Sequence, residues 1–171
     1  MYAEQALALL RETSPYGPAL ENHCLRIADF AAALARRRGV QVDPDLLLAG
    51  CYLHDIGLCV DDPDESNYLR RGLAWALPRI AAWGLDSRQE KVFADMMLYN
   101  HSLRAVPGIE PQAELVRLAV HVEHSFGAIR HGLDRDEIRR VRERHPRLDF
   151  NRVLFVFFCS IVADDGSTEI F

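Results

Sequence analysis

Residues 42–57, VDPDLLLAGCYLHDIG, decide how the rest of the chain is read. Asp43 has the side chain of a helix N-cap, and Pro44 suits the first helical position. From Leu46 to Leu53 every residue but Gly50 is apolar. A run of that kind is either a strand buried on both faces or a helix enclosed by other helices. The cap signals and the length through His54 select the helix, and Gly57 marks its end. Directly after the apolar run come His54 and Asp55. A carboxylate in such surroundings is costly unless it is paired or coordinated.

On both sides the sequence continues as helices. Residues 2–13 form a short amphipathic segment that stops near Pro18. A second helix runs from about Pro18 to Arg38, with Ile27, Ala31 and Leu34 on one stripe and Gly39 as a C-terminal cap. His23 lies one turn before Ile27 and so points inward. After the acidic connector DDPDES, a helix from about Asn67 to Leu77 meets Pro78, and a short segment carries on to Gly84. Asp86 and Gln89 read as a capping box for a helix that ends around His101. Pro111 opens the next helix, whose face of Leu118 and Val122 is the buried one. Asp134 and Glu137 read as a second capping box, for a charged helix closed by Pro146. The final helix, 150–163, is strongly apolar and either packs inside the domain or meets a second copy in a homodimer. The expectation is an all-α, compact helical bundle: a single domain over 1–171 with its core in about 18–163.

Composition narrows the function. The 171 residues suffice for one well-buried domain. A net charge of -5 argues against a nucleic-acid partner, while leaving room for a small anionic substrate held by a few arginines. No signal peptide is visible, and the longest apolar stretch falls short of the roughly 20 residues of a membrane span. Cys24, Cys51, Cys59 and Cys159 form no CxxC pair and read as reduced thiols of a cytoplasmic protein.

His23 and the His54–Asp55 pair lie on consecutive helices, which packed side by side bring three donors to one point. The alternative for His23 is a hydrogen-bonded core histidine. Arg26 shares the face of His23, Arg71 follows the acidic connector, and Arg104 sits in the loop after His101. Arg71 and Arg104 are the candidate contacts for a phosphate substrate at the pocket mouth. The basic run RRVRER is interrupted by acid and reads as a solvated helix face.

The stretches ENHCLRIADFA, LLLAGCYLHDIG, YNH and ELVRLAVHVEHS together resemble the HD-domain superfamily of metal-dependent phosphohydrolases. The resemblance implies an all-helical fold with a divalent metal (iron, manganese or zinc) held by His23, His54, Asp55 and a later aspartate. His101 is similar to positions that serve a second metal in some members. The chain departs from the pattern at the fourth ligand, where Val120 stands directly after RLA. His121, Glu123 and His124 flank the gap and either turn toward it or face solvent.

The implied activity is hydrolysis of a small phosphorylated substrate, with Asp55 orienting the nucleophilic water and His101 transferring protons. Two alternatives remain open: a binding or regulatory domain without metal chemistry, for which Val120 speaks, and a small-molecule hydratase or lyase, since NHCLRIADFA and HDIGL resemble the cyanamide hydratase-like branch.

Overall fold

The computed structural model describes residues 1–61, 65 and 67–155. Most of the acidic connector, the apolar residues 156–163 with Cys159, and the tail lie outside the described residues.

The helices are α1 (Tyr2–Thr13), α2 (Gly17–Arg38), α3 (Pro44–Leu53), α4 (Tyr68–Ile80), α5 (Ser87–Tyr99), α6 (Pro111–His124) and α7 (Arg135–Arg144), and among the described residues there is no strand. Short 3-10 turns follow α3 at Ile56–Leu58 and α4 at Ala81–Trp83. Residues 150–155 are helical as well.

Local chemistry explains most boundaries. The Asp43 side chain accepts from the backbone N–H groups of Asp45 and Leu46 and starts α3. Asn67 does the same for α4, and Asp86 with Gln89 closes a full capping box on α5. Asp45 has a longer reach: its carboxylate accepts from the N–H groups of Tyr2 and Ala3, at 2.7 and 3.1 Å, and ties the start of α1 to α3. Gly39 closes α2 in the left-handed conformation, φ 65°.

Two expectations need correction. Asp134 makes no capping bond to α7; it pairs with Arg37 at 2.9 Å, and Glu137 pairs with Arg36. The basic end of α2 outcompetes the local cap. Pro78 does not stop α4, which runs two residues further to Ile80. A proline so near the C-terminal end removes one ladder bond from a turn that frays in any case.

Packing is centred on α2, which lies against α3, α6 and α7, while α5 bridges α3, α4 and α6 and α1 covers α3. Helix α3 is buried nearly all round, as its sequence requires. Helix α6 is too: every residue from Leu115 to Val120 is buried, with Val122 and Glu123. It therefore has no single core stripe. Two glycines bring α4 against the turn after α3. A Cβ on Gly57 would fall on the carbonyl oxygen of Tyr68 and lie 2.8 Å from the Gly72 nitrogen. Only glycine permits this approach.

Candidate metal centre

The longest helix, α2, delivers His23 to the middle of the bundle, where its side chain is completely buried. The end of α3 delivers His54 and Asp55 to the same place. His54 is fixed by a hydrogen bond between Nδ1 and the carbonyl of Cys51, 2.7 Å away. That bond puts a proton on Nδ1 and leaves Nε2 as the donor atom. Asp55 then faces three imidazoles: Oδ2 lies 3.1 Å from His54 Nε2 and 3.6 Å from His23 Nε2, and Oδ1 lies 3.2 Å from His101 Nε2. His101 arrives just past α5, where buried Asn100 ends the helix by donating to the carbonyls of Met96 and Met97.

His23, His54 and Asp55 each offer a ligand atom, and these atoms lie within 4.8 Å of one another. His23 Nε2 and Nδ1 and His54 Nε2 are buried without a hydrogen-bond partner among the described residues. Orphaned nitrogens converging on one carboxylate are what a metal site leaves when only its protein atoms are drawn. The residues fit a divalent ion.

Electrostatics agree. Burial alone would raise the pKa of Asp55, but His54, His101 and His23 together hold it well below the usual carboxylate range. Burial opposes charge on His54, and Asp55 overcomes it, so that this imidazole holds a proton far more tightly than usual. Burial pushes His124 the other way, well below the usual histidine value, with His101 and His23 adding to the effect.

Behind His23 stands a second buried group. Glu123 Oε1 lies 3.6 Å from His23 Nδ1, accepts from Arg26 Nε at 2.9 Å and from Arg147 Nη1 at 2.9 Å. Arg26 also donates to the carbonyl of His145, and the Phe150 ring stacks on His23 with centroids 4.0 Å apart. The chain after α7 thus wraps the back of the site.

The flanking candidates separate clearly. Val120 is buried on α6 and packs in the core. His121 lies near the surface, its nitrogens 3.0 Å from the Ser102 carbonyl and 3.2 Å from His131. His124 does not face solvent: its Nε2 is buried, and its ring lies 5.7 Å from that of His23 and 5.0 Å from that of His101. Arg71 is nearly buried, donating to the carbonyls of Gly57 and Glu65. Arg104 is exposed in the loop after His101. The RRVRER run lies on α7, with Arg139 paired to Asp136 and Glu143 in solvent.

The sequence reading did not find the support from Arg147 and Phe150, nor Tyr68, a buried ring 6.1 Å from that of His101. A signal existed for Glu123 instead: Arg26, on the inward face of α2, needs a buried acid.

Comparison with known proteins gives one match and one blank. A family model for the HD domain matches residues 20–119, more than half of the chain. No curated protein matches.

Proposed function

The chain belongs to the HD-domain family, and from that premise we propose that it is a metal-dependent hydrolase of a small phosphorylated substrate. The observation that carries the reading is the convergence of His23, His54 and Asp55, with His23 Nε2 and His54 Nε2 buried and without a hydrogen-bond partner among the described residues. These three residues would hold the ion. What it supplies when bound is Lewis acidity: a water nucleophile available near neutral pH and charge compensation on phosphoryl oxygens.

The chain's own residues do the rest. Asp55 is held as a carboxylate, so it would serve as a ligand while its Oδ1 lies on His101. His101 is 19% exposed at the side chain, against complete burial for His23 and His54, and so stands between the centre and solvent. That position suits a group that passes a proton to the leaving oxygen. Tyr68, kept neutral by burial, walls the site beside His101. Arg104, exposed in the loop after His101, is a candidate cation for a phosphate, whereas Arg71 acts as a clamp that fixes the turn carrying Asp55.

A binding domain without catalysis is favoured by one observation, the well-packed Val120 where the family pattern has a carboxylate. Assay of a panel of phosphomonoesters and nucleotides with zinc, iron(II) or manganese separates the two. The hydrolase reading expects phosphate release that depends on metal and disappears in His54→Ala. A metal-loaded protein that binds but never turns over such substrates supports the other.

A further inference from the structure

The basic run RRVRER on α7 is not uniform. Arg139 is paired in solvent, whereas Arg142, one turn on, reaches back to the chain just past α6 and donates Nη1 to the carbonyl of Phe126 at 3.0 Å. Its Nε and Nη2 are covered from solvent and have no hydrogen-bond partner among the described residues. These two nitrogens form one edge of the guanidinium, a pair of parallel N–H groups that matches the two oxygens of a carboxylate or phosphate. Elsewhere in this molecule the same edge is filled. Arg11 and Arg117 each donate Nε and Nη2 to the paired oxygens of Glu21 and Glu114, over distances of 2.7 to 2.9 Å. A charged edge buried without such a partner is costly, so it points to an acceptor outside the protein atoms.

The surroundings suit an organic anion. Arg142 lines an open cleft of about 440 Å³ between the end of α6 and α7, with Phe126 and Ile138 as its apolar wall and Arg135, Arg139 and Glu143 around it. That volume is within the range of small-molecule sites. Glu143 is turned to Arg139 at 3.7 Å. The Phe126 ring is 56% exposed, on a backbone with a left-handed φ of 54°, a conformation uncommon outside glycine. Arg147 lies over the same ring, 4.4 Å from its centroid, but its Nη1 is given to Glu123. Two guanidiniums therefore flank one exposed ring, and the buried acid beside them serves Arg147 and Arg26, not Arg142.

We propose that the cleft between α6 and α7 binds a small organic oxyanion, a carboxylate or phosphate carried on an apolar or aromatic body. The oxygens take the Nε and Nη2 edge of Arg142, and the body lies against Phe126 and Ile138, with Arg135 adding a second positive charge. Because the edge is covered in the structure, binding turns the Phe126 or Arg142 side chain, a motion that the exposed ring and the open cleft allow. The site is distinct from the metal centre and does not depend on the hydrolase reading.

The test titrates the full-length protein with benzoate, phenyl phosphate and acetate, by calorimetry and by nitrogen NMR of labelled arginines. The Arg142 Nε–H signal is assigned by its absence in Arg142→Gln. Benzoate or phenyl phosphate should shift it saturably, and the tighter of the two identifies the head group. Acetate should bind more weakly than benzoate, since it leaves Phe126 uncovered. Arg142→Gln, and Arg142→Lys, which keeps the charge but loses the fork, should each weaken binding at least about tenfold. Circular dichroism of both variants checks folding. Affinity should be the same with zinc and after chelation. The absence of a saturable shift, or wild-type affinity in Arg142→Lys, overturns the site. Acetate that binds as tightly as benzoate overturns the part given to Phe126. Binding that requires zinc assigns the anion to the metal centre and overturns the proposal, while the metal reading stands.

Discussion

Glu123 shows how much a single buried carboxylate can hold. One of its oxygens serves Arg26 and Arg147 and faces His23, all at 3.6 Å or less. Removing it strands a fully buried guanidinium, and Glu123→Ala should cost about 3–5 kcal/mol in urea denaturation of the metal-free protein. Burial would raise its pKa, but His23 and then Arg26 outweigh that and hold it far below the usual carboxylate range. A folded-state pKa below the unfolded one gives stability that is complete above about pH 4–5 and is lost as pH falls. Asp55 acts in the same direction. Acid unfolding of the metal-free protein should therefore be steep below about pH 4, and shallower in Glu123→Gln. The three converging donors were legible in the sequence because His23, His54 and Asp55 each follow from an inward helix face or an apolar run. The inward placement of Glu123 and of the His124 ring was not. It depends on α6 being enclosed on all sides, and a reading that gives it one buried stripe turns both residues the wrong way.

Among the elements, the approach of α4 to the turn after α3 is the tightest fit. Gly57 and Gly72 meet backbone to backbone, and Arg71 pins the contact through the Gly57 carbonyl. Gly57→Ala should force α4 away and destabilise by about 1–3 kcal/mol or more, measured as a lowered denaturation midpoint. It should also reduce metal affinity, because the same turn sets Asp55. By contrast, Asp86→Ala removes an exposed capping box on α5, remote from the centre, and should cost about 1 kcal/mol with metal uptake unchanged. The caps at Asp43, Asn67 and Asp86 could be read directly, since each is satisfied within three residues. The expected cap at Asp134 could not, because its competitor Arg37 is 97 positions away.

At the scale of the molecule, the converging donors come from α2 and the end of α3, with His101 beside them just past α5. An ion there would cross-link α2 to the turn after α3, adding to the packing and polar contacts that already join the helices. At a free concentration of about 100 times its dissociation constant it adds about 2.7 kcal/mol, which corresponds to a melting point about 5–10 °C higher. Stripping with chelator should reverse the rise. Because Asp55 keeps His54 protonated well above the usual range, the ion must displace that proton. Affinity should therefore climb with pH, by about tenfold per unit for one released proton, in chelator-competition titrations across the neutral range.

The wrapping of the chain behind His23 bears on what can be moved as a unit. The segment that matches the family stops at residue 119, before Glu123, His124, Arg147 and Phe150. A graft or truncation cut at that border would carry His23, His54, Asp55 and His101 without the residues that hold the first of them in place. The portable module is longer than the shared motif and extends at least through Phe150.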